Sequence, residues 1–227
     1  MSLVVNVVGK SDEEIARLAK EDATQLNEEE LLYAATLTTN MAEKQDIYAK
    51  ATVQFPNSVR AYNNLGYAYY EQGKYAEAQR CFEKALAMDA NNAVVNYNMG
   101  LVMLVNNNTD KAEEYFGKAA GVGKSLNQAQ GVIAILKGNY KKAAQLFGSD
   151  ASNNAALAHI LNNDNASARR ALDNIQNPNA TTYYLRAVLA ARTNNKAEYE
   201  ANIAQASKLD AKYATRAAND VEFNNVR

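Results

Sequence analysis

The residues that could carry out catalysis are few. The 227-residue chain contains one histidine, His159, and one cysteine, Cys81. A Ser/His/Asp or Cys/His mechanism would have to use that histidine as its general base. Cys81 has no second cysteine with which to form a disulfide or a thiolate metal site. His159 lies in a short apolar helical run and is predicted to be a packed or surface helix residue rather than a general base. Cys81 precedes Phe82 in another helical pattern and is predicted to be a partly buried side chain rather than a reactive thiol.

Two acidic clusters and one glycine-rich stretch could bind ions. The clusters, 12–14 and 28–30, each begin a helical pattern, where negative charge stabilises the helix by about 0.3–1 kcal/mol. The stretch 121–124 shares part of the phosphate-loop pattern, but it lacks the full spacing and a preceding strand. We therefore predict no catalytic residues, no metal site and no cofactor, and we classify the protein as not an enzyme.

The overall charge and the N-terminal apolar run limit the possible partners. A net charge of -1 argues against a nucleic-acid binder, which usually carries a basic stripe. The run 3–8 is too short for a membrane span or the core of a signal peptide, so no direct membrane insertion is expected. Its β-branched residues predict a strand that has no partner within this chain. The compartment stays open between the cytoplasm and the periplasm or cell envelope.

A 34-residue period organises the sequence into helical pairs. Three residue types recur at this spacing: Gly66 and Gly100, Ala78 and Ala112, and Phe82 and Phe116. Tyr62, Leu65, Gly66 and Tyr69 are spaced i, i+3, i+4 and i+7, which predicts one face of a helix. Ala78, Phe82 and Ala85 predict a second helix, with Gly73 in the turn between them. The small residues are expected to let the two helices approach closely, so that Gly66→Leu would overpack the crossing.

These residues resemble the tetratricopeptide repeat, whose pattern contains an aromatic residue, Leu-Gly, Tyr, Ala, Phe and Pro. Two positions depart from it, since Tyr62 replaces the Trp and Ala90 replaces the Pro. The resemblance implies an all-α fold, a right-handed α-α superhelix of about five helix-turn-helix repeats. We add to it a short N-terminal strand and a C-terminal capping helix.

The period also predicts the domain organisation. Residues 1–10 are expected to form an N-terminal strand or tail, and residues 11–227 a single solenoid domain. The expected repeats are 25–58, 59–92, 93–123 and 124–150, then a truncated unit at 151–177, a degenerate unit at 180–210 and a cap at 211–227.

The resemblance implies that the first helices of successive repeats line a concave groove that binds a peptide or a partner helix. The groove residues it selects are Tyr33, Asn63, Asn64, Tyr67, Tyr70, Asn98 and Leu101. Asn64 and Asn98 stand directly before a Leu-Gly and a Met-Gly pair. A carboxamide both donates and accepts, so each could bond either the backbone of an extended peptide or a neighbouring repeat. Both interpretations remain open.

This chain is not expected to belong to one functional subset of the family. Its chaperone-binding members grip a C-terminal carboxylate with Lys and Arg on consecutive first helices. The corresponding positions in this chain are Glu29, Val94 and Asn98, or, one unit along, Asn63, Ser125 and Ala129. Because neither set contains a cation, no carboxylate-clamp binding to chaperones is predicted.

Two functions follow from the resemblance. The first is a non-catalytic scaffold that binds a protein or peptide of unknown identity in the groove. The second is a structural or assembly segment of a larger bacterial cell-envelope protein, whose groove is filled by its own C-terminal helices or by a flanking domain. Residues 11–90 resemble the repeat segment of Bacteroidetes-type outer-membrane-protein-A-like proteins, which implies a periplasmic location.

Overall fold

The computed structural model describes residues 9–226, and its regular structure over that range is all α-helical. The strand predicted for residues 3–8 lies outside the described residues. The chain divides into two compact units between Val122 and Gly123. The boundary predicted between the third and fourth repeats lies one residue later, between residues 123 and 124.

The first unit contains three helical hairpins preceded by one helix. Its helices are α1 (Asp12–Glu21), α2 (Glu28–Ala34), α3 (Met41–Gln54), α4 (Val59–Glu71), α5 (Tyr75–Met88), α6 (Ala93–Val105) and α7 (Thr109–Lys118), with a 3-10 turn at Ala23–Gln25. The hairpins α2–α3, α4–α5 and α6–α7 correspond to the first three predicted repeats. Asn27 begins α2 with a capping box, because its side chain and that of Glu30 each accept from the other residue's backbone N–H.

The second unit contains three more hairpins and a C-terminal helix. Its helices are α8 (Lys124–Leu136), α9 (Tyr140–Phe147), α10 (Asn153–Leu161), α11 (Asn165–Asp173), α12 (Ala180–Arg192), α13 (Lys196–Leu209) and α14 (Lys212–Asn219), followed by a 3-10 turn at Val221–Phe223. The unit predicted to be truncated has two helices of 9 residues each. The unit predicted to be degenerate forms a full hairpin, and the described residues contain six hairpins.

A glycine on the first helix faces a phenylalanine on the second helix in three hairpins. The pairs are Gly66 with Phe82, Gly100 with Phe116, and Gly131 with Phe147. A Cβ added at Gly66 or Gly100 would lie 2.5 Å from a ring carbon, which is far inside van der Waals contact. The small residue is therefore required by an aromatic ring that packs against the backbone of the first helix, and not only by close approach of two backbones.

The turn inside each of five hairpins contains one residue in the left-handed region. These residues are Gly73, Asn107, Gly138, Asn163 and Asn194, with φ between 53° and 74°. In the α4–α5 turn the N–H of Gly73 donates to the carbonyl of Tyr70 at 2.9 Å, and the N–H of Lys74 donates to that of Tyr69 at 3.0 Å. The same pair of bonds recurs in the other four turns. Glycine and asparagine are the residues that tolerate this conformation best.

The residue that follows the left-handed position is the N-cap of the second helix. In four of the five hairpins its side chain accepts a hydrogen bond from a backbone N–H in the first turn of that helix; these residues are Asn108, Asn139, Asp164 and Asn195. Such a cap stabilises a helix by about 1 kcal/mol. The abundance of asparagine in the inter-helix turns follows from these two adjacent backbone requirements.

Asn107→Val is expected to destabilise the first unit by about 1–2 kcal/mol, because a β-branched residue is strained in the left-handed region. Asn107→Gly should cause no loss. The neighbouring Asn106 has φ of -80°, so Asn106→Val serves as the matched control. The free energy of unfolding in urea measures the difference, and equal values for the two valine variants would contradict the prediction.

Candidate functional site

A partly exposed surface of tyrosine, asparagine and leucine side chains runs across α4 and α6 of the first unit. We call it the tyrosine face and define it by Asn63, Asn64, Tyr67, Tyr70, Tyr97, Asn98 and Leu101. Tyr67 is 44% exposed. Its ring stacks on that of Tyr70, with centroids 6.1 Å apart and an interplanar angle of 23°. The ring of Tyr70 in turn contacts Tyr75 at 5.5 Å.

The phenol groups of this face remain neutral hydrogen-bond donors. Burial raises the pKa of Tyr67, and a hydrogen bond from its hydroxyl to Glu71 raises that pKa further. Burial also raises the pKa of Tyr70, and the nearby Tyr75 adds to the effect. Tyr97, whose ring lies 5.6 Å from that of Phe116, is close enough to affect both of these phenols electrostatically.

The asparagines of the face form a chain of amide hydrogen bonds across two hairpins. The Nδ2 of Asn98 donates to the Oδ1 of Asn63 at 2.8 Å, and the Nδ2 of Asn63 donates to the Oδ1 of Asn64 at 3.3 Å. Asn98 therefore bonds a residue of the preceding hairpin. Within residues 9–226, the amide nitrogen of Asn64 and the amide oxygen of Asn98 make no hydrogen bond. The face therefore has one amide donor, on Asn64, and one amide acceptor, on Asn98, that are available to a ligand.

Tyr33, the remaining predicted groove residue, belongs to the first hairpin. Tyr33 lies on α2, and its hydroxyl donates to Asp12 of α1 at 3.2 Å. Beside it, Lys10 bonds both carboxylate oxygens of Glu30 at 3.0 Å. Glu29, the neighbouring residue on α2, is paired with Arg60 of α4. The charges at this edge of the first unit are therefore paired with one another.

Two residues of the site were not selected from the sequence. Tyr75, at the start of α5, is half-buried and its ring packs against Tyr70. Glu71 lies four residues after Tyr67, and its carboxylate accepts a hydrogen bond from the Tyr67 hydroxyl. The i, i+4 spacing of Tyr67 and Glu71 was the signal that could have identified Glu71.

In the second unit, the face of α12 that corresponds to the tyrosine face is covered. Counted from the left-handed turn residue, Tyr184 matches Asn63 and Val188 matches Tyr67. Both are buried. The fully buried ring of Phe223 lies 5.5 Å from that of Tyr184, and Asp220 accepts the hydroxyl of Tyr184. The C-terminal segment 211–226 therefore occupies this part of the surface.

Arg192 anchors the last turn of this segment. Its guanidinium donates to both carboxylate oxygens of Glu222, at 3.0 and 2.6 Å, and to the carbonyl of Ile160. Tyr213 of α14 is hydrogen bonded to Thr181 at 2.7 Å. The C-terminal cap predicted for 211–227 is thus a packed helix followed by a hydrogen-bonded turn.

Of the two candidate catalytic residues, His159 is buried and Cys81 is partly buried. His159 is 6% exposed, and its Nε2 lies 2.9 Å from the carbonyl of Gly148. Among residues 9–226 no group of three or more His, Cys, Asp or Glu side chains is arranged to hold a metal ion. None of the described helices combines the length and apolarity needed to cross a membrane.

Cys81 is expected to react slowly with alkylating agents. Burial raises its pKa to about 11, although Lys84 and Arg80 nearby lower it in part. At pH 8 only about one thousandth of this thiol is ionised, and the thiolate is the reactive form. Mass spectrometry after iodoacetamide treatment should show a rate that rises about tenfold per pH unit up to pH 10. If Cys81 of the folded protein reacted at pH 7 as fast as Cys81 of the protein unfolded in urea, this expectation would be contradicted.

Comparison with known proteins identifies the repeats. Two family models described as tetratricopeptide repeat match the chain, one over residues 59–92 and the other over residues 81–114. The chain therefore contains tetratricopeptide repeats within residues 59–114. These matches cover the two hairpins that form the tyrosine face. Among curated proteins, none shows significant sequence similarity to this tetratricopeptide repeat chain.

Several solved structures share the fold of this chain. A tetratricopeptide repeat protein from Parabacteroides merdae is 20% identical, with a TM-score of 0.63, over 88% of this chain and 85% of that one. PilF of Pseudomonas aeruginosa is 18% identical, with a TM-score of 0.68, over 93% and 100%. YrrB, described as a TPR protein with an unusual peptide-binding site, is 18% identical, with a TM-score of 0.50, over 92% and 100%. At these identities the likeness concerns the fold alone.

Proposed function

We propose that this tetratricopeptide repeat protein is a non-catalytic scaffold that binds a peptide segment or a helix of a partner protein on its tyrosine face. One observation carries the proposal: an open amide donor on Asn64 and an open amide acceptor on Asn98 lie beside the exposed, stacked rings of Tyr67 and Tyr70. A peptide backbone offers the complementary carbonyl and N–H groups. Tyrosine rings supply contact area at low entropic cost.

The charges around the face support an uncharged ligand. Arg60 is paired with Glu29 and Lys10 with Glu30, and the carboxylate of Glu71 accepts from Tyr67. No cation of the face is left to hold a C-terminal carboxylate, so we propose that chaperone tails are not its partners. The description of YrrB shows that a protein of this fold can carry a peptide-binding site.

The test is a comparison of matched surface variants. Peptides selected from a display library on the wild-type protein would be labelled, and their dissociation constants measured by fluorescence anisotropy. Tyr67→Ala and Asn64→Ala should each weaken binding by about 1–3 kcal/mol. These two are preferred to Asn98→Ala because Asn98 is buried, so that its replacement would also affect packing.

Val53 provides the control for that measurement. It lies on α3, outside the tyrosine face, and is 82% exposed, so Val53→Ala should leave the affinity unchanged. If all three variants bound the selected peptides as tightly as the wild type, the tyrosine face would not be the binding site and the proposal would fail.

A second function is favoured by the covered face in the second unit. Because segment 211–226 packs on α12, part of the predicted groove is filled by the chain itself, as expected of an assembly segment in a larger cell-envelope protein. The resemblance of residues 11–90 to envelope proteins supports the same interpretation. Fractionation of cells that produce the native protein tests it, because recovery of the protein only with cytoplasmic markers would exclude this function.

A further inference from the structure

A crevice of the first unit lies away from the tyrosine face. It opens between the second helix of one hairpin, α3, and both helices of the next hairpin, α4 and α5, and its volume is about 390 Å³. Its lining residues are Thr52, Val53, Tyr62, Leu65, Tyr69, Glu77, Arg80, Cys81 and Lys84. None of these residues belongs to the tyrosine face. Sites for small ligands have volumes of about 300–1,000 Å³, so the crevice is large enough for one small group.

The part of the crevice formed by α3 and α4 is apolar and aromatic. Val53 of α3 is 82% exposed, although valine is among the residue types most often buried. On α4, Tyr62 and Tyr69 are half-buried and Leu65 is buried. A ligand that covers apolar surface here gains about 25 cal/mol for each Å² removed from water. This part of the crevice therefore favours an apolar or aromatic group.

Two cations of α5 that line the crevice are unpaired. Arg80 and Lys84 lie one helical turn apart, and both side chains are exposed. Within residues 9–226 neither side chain forms a hydrogen bond or an ion pair, and the Lys84 ammonium lies 5.3 Å from the centroid of the Tyr62 ring. Among the lining residues, Glu77 is the one carboxylate, so the formal charge of the crevice is positive. An anionic group beside the apolar one would complement this charge.

The second unit has a crevice of about 360 Å³ at the same position of its hairpin α10–α11. Counted from the left-handed turn residue of each hairpin, five lining positions of the two crevices coincide: His159 with Tyr69, Ser167 with Glu77, Arg170 with Arg80, Ala171 with Cys81, and Asn174 with Lys84. The other three hairpins with this turn carry Glu114, Gln145 and Ala201 at the arginine position. The arginine is therefore not part of the repeat pattern, yet it occurs in both of these crevices.

We propose that the crevice between α3, α4 and α5 is a binding site for an apolar or aromatic group that carries an anionic substituent. A small amphiphilic anion offers this chemistry, and so do adjacent acidic and aromatic side chains of a partner protein. The apolar part of the ligand lies against Tyr62 and Leu65, and its anionic part lies beside Arg80 and Lys84. Because Cys81 also lines the crevice, a bound ligand covers this thiol. The site does not depend on the peptide-binding function proposed for the tyrosine face.

Fluorescence titration of the full chain with anilinonaphthalene sulfonate, an aromatic anion, tests the proposal. Arg80→Ala combined with Lys84→Ala should raise the dissociation constant of this probe about tenfold or more. Lys141→Ala combined with Lys142→Ala is the matched control, because it removes the same charge from exposed positions of α9, and it should leave the dissociation constant unchanged. Equal dissociation constants of the two double variants would overturn the proposal. Equally tight binding of the uncharged phenylnaphthylamine by the wild type would also overturn it.

Alkylation of Cys81 locates the bound probe. At a probe concentration about ten times the dissociation constant, about nine-tenths of the sites are filled, so iodoacetamide should modify Cys81 about tenfold more slowly. Mass spectrometry measures the rate with and without the probe at about pH 9, where more of the thiol is ionised than at neutral pH. An unchanged rate would place the probe elsewhere on the protein and overturn the proposal.

Displacement of the probe distinguishes the two sources of the ligand. Displacement by dodecanoate alone would identify a free amphiphilic anion, whereas displacement by a capped peptide with adjacent glutamate and phenylalanine would identify a partner protein. If neither displaced the probe, the crevice would not accept this class of ligand and the proposal would fail. Val53→Ala should weaken probe binding without affecting peptides bound to the tyrosine face, so failure of the crevice site is distinguishable from failure of the tyrosine face.

Discussion

Phe223→Ala is expected to destabilise the second unit by about 3–5 kcal/mol, the usual cost of removing a buried phenylalanine. The side chain of Phe223 is completely buried, and its ring lies 4.8 Å from that of Tyr199 and 5.5 Å from that of Tyr184. Its loss leaves a cavity between α12, α13 and the C-terminal turn, because these rings cannot move to fill it. The free energy of unfolding in urea measures the effect.

Val221→Ala is the control for this prediction. Val221 belongs to the same turn but is 76% exposed, so its truncation should change stability by less than about 0.5 kcal/mol. Hydrogen exchange of the α12 amides adds a local readout, because Phe223→Ala should increase exchange there while Val221→Ala should not. Equal stabilities of the two variants would show that the C-terminal turn is not an essential part of the core.

Gly66→Ala and Gly100→Ala are each expected to destabilise the first unit by about 1–3 kcal/mol, although alanine is the better helix former. The added methyl group would lie 2.5 Å from the ring of Phe82 or Phe116. The ring must move or the two helices must separate. Chemical denaturation of each variant measures the cost.

Gly117 provides a matched control on a neighbouring helix. It lies in α7, and nothing lies within 4 Å of a Cβ added to it. Gly117→Ala should therefore stabilise the protein by about 0.5–1 kcal/mol. Because leucine is smaller than phenylalanine, combining Phe116→Leu with Gly100→Ala should restore part of the stability that Gly100→Ala alone loses. Stabilisation by all three glycine replacements would contradict the packing argument.

The hairpins could be predicted from the sequence because their determinants are local and periodic. Gly66, Ala78 and Phe82 recur at a fixed spacing, and each lies within a single hairpin, so the sequence contains both sides of the contact. The hairpin at 180–210 is degenerate in sequence because Ala187 and Ile203 stand where the earlier hairpins have Gly and Phe. A first helix that carries alanine can pack against a second helix that carries isoleucine, so this hairpin does not need the Gly–Phe contact.

The contacts of the candidate site could be predicted only in part. The positions of Asn64, Tyr67 and Asn98 followed from the repeat, but the chain of amide bonds depends on side-chain orientations across two hairpins. The packing of Phe223 on Tyr184 joins residues far apart in the sequence, outside any period. The same holds for the hydrogen bond between Tyr33 and Asp12, which ties a predicted groove residue to a helix that precedes the repeats.

The left-handed turn residue has a consequence for how such a protein evolves. The turn constrains a backbone torsion and not a particular side chain, so Gly73 and Asn107 satisfy it equally well. Substitutions between these two residue types leave the hairpin intact while they erase the sequence signature by which a repeat is recognised. Hairpins of one ancestry can therefore diverge until only their geometry is shared, and an array can acquire new surface chemistry without losing its architecture.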